Sequence, residues 1–286
     1  SGECEWIAGR KGITADLNGV FFVPILQDNG TLVKIRSRPE AGKKDIGSPR
    51  EAWVEPDLLY PLLKGAGDFE ACYLRLDKLG ERDRLFTFIP NTGIGREDYS
   101  DSAERLNSAS LRKTTRWFNS FRVLLEDRST YKRQMRSQGA SMQDVYNVGE
   151  YTFAPWKVVW PEMSSRFYAA VAGSATVPVA GVRPYVPDHK VYFCAFDNKD
   201  VAYYLCGLLN TESVCEWIES HNISIQVGDV FKHLNLPEYD STNGLHRELS
   251  SLSEQAHNEH SAPERARLVS KVRQKGEEII RAVATV

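Results

Sequence analysis

Short apolar runs bounded by turn residues recur through most of this chain, and such runs are typical of β-strands. The clearest pair occupies 18–26 and 31–36 and flanks Asp28-Asn29-Gly30, where the residue types tolerate the backbone conformations of a tight turn. We therefore predict a β-hairpin there. Further strands are predicted at 71–76, 85–89, 151–153, 157–160, 166–172 and 190–196. The last four form a second β-rich block.

Helical periodicity marks other parts of the chain. A short helix is predicted over 55–65, because Pro56 suits a first helical turn and Gly65 can end a helix. Its buried face would comprise Leu58, Leu59, Leu62 and Leu63. Asp101 and Glu104 have the spacing of a capping box that opens a longer helical region. There, one apolar face (Trp117, Phe118, Phe121, Leu124, Leu125) lies opposite a basic one (Arg112, Lys113, Arg116, Arg122).

The chain beyond Asp197 is predicted to be mainly helical. An amphipathic helix covers 201–209, and after a short break the pattern continues over 214–218. Two C-terminal helices follow, one over about 245–258 and one that opens at Ser261 with a capping box and a proline in its first turn.

Together these elements predict an α+β fold, in which mixed and antiparallel β-rich regions pack with helices and rest on a C-terminal helical support. We expect three parts: a mixed α/β part at 1–130, a β-rich block with a helix at 131–240, and the C-terminal helices at 241–286.

Composition narrows the class of protein. The 286 residues are 42% hydrophobic, which suffices for one large core or two smaller ones. The formal net charge of -2 demands no polyanionic partner, so any DNA-binding surface has to be a local patch. The five cysteines are an odd number without a Cys-x-x-Cys pair, which indicates reduced core residues of a cytoplasmic protein. No run approaches the ~20 apolar residues of a membrane span, so we expect no membrane partner.

The motifs of methyl transfer are absent from these residues. There is neither a glycine-rich cofactor loop after a strand nor the Asn-Pro-Pro-aromatic tetrad that grips a flipped adenine. The nearest glycine-rich stretch, 91–95, lacks a third glycine and is interpreted as a turn. Because the first methionine is Met135, we expect a longer parent protein that could include an upstream catalytic domain.

Two groups imitate metal sites. Asp188, Asp197 and Lys199 have the residue types of a magnesium-dependent nuclease. One uninterrupted strand between the two aspartates would hold them roughly 30 Å apart, at ~3.3 Å per residue, which is poor spacing for one ion. A C-terminal group, His246, His257 and His260, is interpreted as a solvated helix surface, since no second ligand pair completes a metal site. We expect no metal or cofactor in this chain.

Four segments of the chain form an ordered series. They are Arg10 to Val23, Glu55 to Gly65, Tyr151 to Trp160, and Pro187 to Phe193, the last being followed by Ala202 to Asn210. In this order, over about residues 10–240, they resemble the specificity domains of TaqI-like and type IIG or type I-like adenine-N6 DNA methyltransferases. The second segment carries the leucine, tyrosine, proline, lysine and glycine series of that family.

The resemblance implies a division of labour. An upstream or separate methyltransferase catalytic domain would bind S-adenosylmethionine and flip the adenine out of the duplex. This chain would grip the surrounding double-stranded DNA, largely in the major groove, as a target recognition domain in restriction-modification or phage defence. We therefore expect it not to be an enzyme.

Candidate DNA contacts are chosen by side-chain chemistry, because Arg and Lys pair with phosphate or guanine while Gln and Asn pair with adenine. The polar stretch 131–143 suits a loop or an exposed helix end better than a core element. Its residues 132–138 are interpreted as a readout loop, the alternative being a solvated connection. Its candidates are Lys132, Arg133, Gln134, Arg136, Ser137 and Gln138. A second group comprises Arg10, Lys11, Thr14 and Asn18, with turn and strand-edge structure as the alternative. Lys157 and Arg166 flank apolar strands and are expected to face a DNA cleft.

Two rival functions stay open at this point. The first is a protein-interaction module that docks restriction-modification subunits through its C-terminal helices, which the near-neutral charge allows. The second is the nuclease built on Asp188 and Asp197. Magnesium-dependent cleavage by the purified protein would separate the nuclease from both binding functions.

Overall fold

The computed structural model describes residues 4–75, 84–92, 100–107, 109–221, 231 and 234–284. Its strands, in chain order, are β1 (Arg10–Lys11), β2 (Phe22–Asp28), β3 (Val33–Arg36), β4 (Glu51–Val54), β5 (Leu59–Leu63), β6 (Phe69–Glu70), β7 (Tyr73–Leu74), β8 (Leu85–Phe88), β9 (Trp156–Pro161), β10 (Ala170–Ala172), β11 (Ser174–Val177), β12 (Gly181–Pro184), β13 (Val186–Pro187) and β14 (Val191–Phe196). Its helices are α1 (Asn18–Phe21), α2 (Ser100–Asn107), α3 (Arg112–Asn119), α4 (Arg122–Glu126), α5 (Lys199–Leu209), α6 (Glu212–His221), α7 (Gly244–Asn258) and α8 (Ala262–Ala284).

Two larger sheets organise the strands. The first has the order β13-β5-β8-β2-β3-β4, and the second has the order β1-β14-β9-β10. Neighbouring strands in both sheets are antiparallel, except that β13 and β5 run parallel. With the helices packed on these sheets, the predicted α+β class is confirmed.

The first sheet packs against α3 and α4. Phe118 lies edge-on to Phe88, with ring centroids 5.1 Å apart, and 5.5 Å from the ring of Phe21. Trp117 and Phe121 are buried on the same side. The basic residues predicted to lie opposite this apolar face are all exposed: Arg112, Lys113, Arg116 and Arg122. The amphipathic reading of this region is therefore confirmed.

The second sheet packs against α5, on which α7 and α8 pack in turn, and the three helices share a hydrophobic core with the sheet. Trp160 of β9 is fully buried there. Gly207 lets α5 approach α7 closely, since a Cβ at this position would lie 2.7 Å from the side chain of Leu249. The two C-terminal helices are present as predicted, over 244–258 and 262–284. Within the described part of the chain, no helix has both the length and the apolar character needed to cross a membrane.

The hairpin predicted at the start of the chain is present as β2 and β3. The side chain of Asp28 accepts a hydrogen bond from the backbone of Gly30, and Asn29 accepts from Thr31 and Leu32. Gly30 has a φ of +82°, which explains why glycine suits this turn. The first residues assigned to the hairpin, 18–21, instead form the helical turn α1.

Two sequence predictions of local structure are wrong. The segment 55–65 forms a 3-10 turn at 56–58 followed by strand β5, and not a helix. Its leucines are buried as expected, but β5 lies between β8 and β13 and is covered on both faces, so its residues form a continuous apolar run without a period of two. The segment 151–153, predicted as a strand, lies in a 3-10 turn over Glu150–Phe153.

The two sheets draw on the chain out of sequence order. The N-terminal strand β1 pairs with β14 in the second sheet, whereas β13, which directly precedes β14, pairs with β5 in the first. Val145 and Val177 belong to the hydrophobic cluster of the first sheet. The three parts predicted from the sequence, with boundaries after residues 130 and 240, remain a prediction. Two of the places at which the chain passes between the sheets are 11–14, between β1 and β2, and 187–191, between β13 and β14.

Candidate nucleic-acid interface

The first crossing is held by backbone pairing. The amide of Gly12 donates to the carbonyl of Val191 at 2.9 Å, and the amide of Ile13 donates to the carbonyl of Pro187 at 2.9 Å. Thr14 exchanges backbone hydrogen bonds with Tyr146. A loop from the middle of the chain is thereby fixed beside the N-terminal segment.

A cleft of about 520 Å³ opens beside this crossing. Its floor is the segment 14–19, which includes the predicted site residues Thr14 and Asn18. One wall is the loop 38–46 and the other is the turn at 189–190. Arg38, Lys43, Lys44, His189 and Lys190 line these walls, so basic side chains from two separate parts of the chain face one space.

The basic residues of the cleft differ in how they are paired. Lys43 and Lys190 are exposed, and no carboxylate among the described residues forms a salt bridge with either. Lys44 pairs with Asp127. The Nε atom of Arg38 lies 3.0 Å from a carboxylate oxygen of Glu40, while its Nη1 atom is buried without a hydrogen-bond partner in the described structure. The walls therefore hold donors that the folded chain leaves unused.

His189, in the turn at 189–190, adds a further positive charge to the cleft wall when its ring is protonated at low pH. The Nδ1 atom of His189 lies 2.7 Å from a carboxylate oxygen of the buried Asp188. This hydrogen bond raises the pKa of His189 above its usual value. Close by, burial and the neighbouring charges of Arg38 and Lys190 lower the pKa of Lys64. Like charges are thus concentrated on this side of the cleft.

Arg128 fixes the polar stretch 131–138 beside the cleft. Its buried guanidinium donates to the carbonyls of Leu125 (3.2 Å), Ala15 (2.9 Å), Met142 (2.7 Å) and Asp144 (2.7 Å). Burial lowers the pKa of Arg128 to about 10, so the group stays charged at neutral pH. One side chain thus ties the cleft floor to both ends of the polar stretch.

The polar stretch consists of two short helical turns in succession. Residues 131–135 form a π turn and 136–138 a 3-10 turn, which ends at Gly139 with a φ of +85°. Tyr131 and Met135 are buried and anchor the segment. The six predicted contacts are all exposed: Lys132, Arg133, Gln134, Arg136, Ser137 and Gln138. An exposed helix end was one of the two structures that its composition indicated.

Asp127 joins the polar stretch to the cleft. Its carboxylate lies 2.7 Å from Nζ of Lys132 on one side and pairs with Lys44 on the other. The hydrogen bond from Lys132, which has the largest effect, and the hydrogen bond from Lys44 lower the pKa of Asp127 to about 2. We refer to residues 131–138 as the rim. The structure thus brings together two of the predicted groups, the rim and the Thr14–Asn18 floor, on one face.

The remaining predicted residues lie outside the cleft lining. Arg10 is exposed and covers the ring of Tyr151, with its guanidinium carbon 4.8 Å from the centroid. Lys11 pairs with Glu162, and the backbone amide of Glu162 donates to the carbonyl of Lys190 beside the cleft. Arg166 is exposed on the same loop that carries Glu162. Lys11 is therefore adjacent to the cleft wall through Glu162.

Lys157 does not fit its predicted role. It is fully buried in β9, its Nζ atom donates to the carbonyl of Ala154 at 2.7 Å, and it cannot reach DNA from this position. Burial alone lowers the pKa of Lys157 to about 7. The prediction that it faces a DNA cleft is corrected: β9 is a central strand that is buried on both faces, so even its basic residue points inward.

We predict that Lys157→Met stabilises the chain at neutral pH. In the unfolded chain Lys157 keeps its proton up to a pH of about 10.5, whereas in the folded chain it releases the proton near pH 7. The free energy of unfolding therefore rises with pH between these two values and is lowest below pH 7. Methionine removes this dependence. At pH 6.5 we expect a gain of about 2 kcal/mol after loss of the Ala154 hydrogen bond. Urea unfolding at pH 6.5 and 9.5 measures this gain, and Lys113→Met, at an exposed position, is the control. Equal stability of wild type and Lys157→Met at pH 6.5 would contradict the prediction.

The residues of the two cleft walls were not predicted from the sequence. Lys43 and Lys44 follow Gly42 in a loop that no motif marked, and Lys190 was noted only within a family-like segment. Two adjacent lysines after a glycine were the available signal. It carries little information without the fold, because solvated loops often have this composition.

Two other polar groups were considered as metal sites in the sequence. Asp188 and Asp197 lie at opposite ends of β14, and within the described ranges no three His, Cys, Asp or Glu residues are placed to hold a metal. His257 donates from Nδ1 to the carbonyl of Ser253 (2.7 Å) and accepts at Nε2 from the amide of Val171 (2.8 Å). Burial lowers its pKa to about 4, so this histidine is a neutral structural group.

The glycine-rich stretch considered as a cofactor loop is only partly visible. Asn91 forms two hydrogen bonds with the backbone of Val145, at 3.1 and 3.0 Å, and so has a structural role. The residues 93–95 lie outside the described part of the chain.

Comparison with known proteins shows one similarity in sequence and one in fold. No family model matches the chain. It is 23% identical over 167 residues to the type II methyltransferase M.NspV of Nostoc sp. (strain ATCC 29411 / PCC 7524), a match that covers 58% of this chain and 30% of that protein. Its fold matches part of the type IIL restriction-modification enzyme MmeI, solved in complex with DNA, with a TM-score of 0.55 and 10% identity over 98% of this chain and 33% of that one. The chain thus spans about a third of the length of each protein that it matches: it is similar in sequence to part of a type II methyltransferase and in fold to part of a restriction-modification enzyme.

Proposed function

We propose that this chain recognises a specific duplex DNA sequence, as the non-catalytic specificity part of an adenine-N6 DNA methyltransferase in a restriction-modification system. The observation that carries the proposal is the single face on which the basic cleft meets the exposed rim. Cations that contact phosphates beside Arg and Gln side chains that can contact base edges are the two parts of a sequence-specific DNA interface.

The comparisons support the same proposal from outside the molecule. MmeI was solved in complex with DNA, and almost the whole of this chain matches a third of it in fold. M.NspV is a methyltransferase, and the sequence match covers less than a third of it. A piece of such an enzyme that lacks methyl-transfer motifs suits a recognition role. In this proposal a separate or upstream catalytic domain binds S-adenosylmethionine and flips the adenine.

The rim is the proposed base-reading element. Arg133 and Arg136 can pair with guanine, and Gln134 and Gln138 with adenine. These four side chains are exposed, while the anchors Tyr131 and Met135 are buried, so the readout residues can be changed without loss of the anchors. The short turns hold them on a rigid base, which favours specific contacts over non-specific ones.

Selection of bound sequences from a random duplex library tests the proposal, with the chain alone and with its methyltransferase catalytic domain added. We expect one motif to be enriched and the affinity to fall as salt rises. Changing Arg133, Gln134, Arg136 and Gln138 to alanine is expected to lower the preference for that motif over unrelated duplexes by tenfold or more, at roughly 1–3 kcal/mol per lost base contact.

The control exchanges two exposed polar residues of α8, Lys271 and Gln274, for alanine. This variant should select the same motif with the same affinity. Absence of duplex binding at low salt, both for the chain alone and with the catalytic domain, would overturn the proposal. Binding that requires the catalytic domain supports it, because the two parts then form the two halves of a clamp.

A further inference from the structure

The two walls of the cleft present lysines that the fold leaves unpaired. Lys43 stands on the loop 38–46 and Lys190 on the turn between β13 and β14, and both line the same space of about 520 Å³. Neither forms a salt bridge with a described carboxylate. Two exposed ammonium groups that line one cleft can together bind a compact anion.

The acidic groups around the cleft are engaged elsewhere. Asp16 accepts from the amide of Thr130 at 2.6 Å, and Asp68 accepts from the amide of Lys64 at 2.5 Å. Asp127 is shared by Lys44 and Lys132, Asp188 is bound by His189, and Glu40 is bound by Arg38. The carboxylates therefore leave Lys43 and Lys190 unneutralised at the cleft.

Further positive charge lies behind these two lysines. Arg38 lines the cleft, and its Nη1 atom is buried with no partner in the described structure. Lys64 is close enough to Arg38 and Lys190 for their charges to lower its pKa, after the larger effect of burial. Asp188 and Asp68 offset part of this repulsion, and an anion bound in the cleft would offset more of it. The mutual destabilisation of the cations is thus a source of binding free energy for a negative ligand.

We propose that the cleft holds a phosphate group of the DNA backbone, with Lys43 and Lys190 as its two ligands and Arg38 and Lys64 as supporting charges. The inference rests on the proposed DNA recognition and adds a division of roles. The cleft binds the duplex whatever its sequence and sets its register, and the rim beside it reads the bases. The link through Lys44, Asp127 and Lys132 keeps the two at a fixed separation.

The test measures duplex affinity against salt for Lys43→Gln, Lys190→Gln and the double variant, in whichever form of the protein binds DNA. We expect the double variant to reduce the slope of log affinity against log salt by about 0.9, the value for one phosphate, and affinity at 0.1 M salt by roughly fivefold to tenfold, with each single change giving part of both effects. The loss should be equal for the preferred motif and for unrelated duplexes. Lys271→Gln, on an exposed surface of α8, is the matched control and should change neither quantity.

Neutral methylphosphonate links, placed one at a time in the duplex, locate the phosphate. The wild-type chain should lose affinity when one particular phosphate is neutralised, and the double variant should be indifferent to that position. Motif-specific binding whose salt slope is unchanged in the double variant would overturn the phosphate site while leaving DNA recognition intact. Binding of inorganic phosphate that depends on Lys190, without any change in duplex affinity, would overturn it as well. If the proposed DNA recognition itself is wrong, the wild-type protein binds no duplex, which distinguishes that failure from failure of the phosphate site.

Discussion

Replacement of Arg128 by methionine is expected to lower the free energy of unfolding by about 4 kcal/mol. Methionine fills much of the same volume but donates no hydrogen bond, so the four carbonyls that Arg128 now serves lose a buried donor. Relief of the buried charge offsets only part of this loss. Urea unfolding at neutral pH measures the change.

The control for Arg128 is Arg122→Met on the exposed surface of α4. Arg122 pairs with Glu126 at 3.4 Å with both side chains largely exposed, and such pairs contribute little, so we expect a change within about 0.5 kcal/mol. Equal effects of the two substitutions would contradict the role given to Arg128. If Arg128→Met folds, its duplex affinity should also fall, because the rim and the cleft floor are no longer tied together.

Gly12→Ala is the second change with a large expected effect. A Cβ at position 12 would lie 2.2 Å from the carbonyl oxygen of Asp188 and 2.4 Å from that of Pro187. Both neighbours are backbone atoms, so the crossing between the sheets has to separate. We expect a loss of about 3 kcal/mol or more, measured by thermal or urea unfolding.

Gly67→Ala provides the comparison for Gly12, since nothing lies within 4 Å of a Cβ at position 67 and its φ is not positive. This change should be neutral or slightly stabilising, because alanine restricts the unfolded chain. A Gly12→Ala chain as stable as Gly67→Ala would mean that the 11–14 crossing is not held in the close contact described above.

Local signals in the sequence were enough for parts of the fold. Asp28, Asn29 and Gly30 predicted a turn because each of them contributes to it directly, by a side-chain hydrogen bond or by positive φ. The start of α8 was predicted because a capping box and a proline in the first turn mark it. The segment 55–65 failed because a strand covered on both faces has no such period. Pro61, in the middle of the predicted helix, was a signal against it.

The site was predictable only in part. The rim and the floor were chosen by composition, and the fold places them side by side. The walls depend on tertiary structure, because Lys43 and Lys190 are far apart in sequence and meet only where β13 leads into β14. Lys157 was misassigned for the opposite reason. Its charge favoured the surface, but the strand that carries it runs through the interior.

Hydrogen-deuterium exchange with and without the selected duplex tests the central claim most directly, because it locates the DNA-binding face without altering any residue. We predict that duplex slows exchange at 12–19, 38–46, 127–146 and 187–191, while 244–284 is unchanged. Protection confined to α7 and α8, with the cleft and the rim unaffected, would contradict the account and favour the C-terminal helices as the interaction surface.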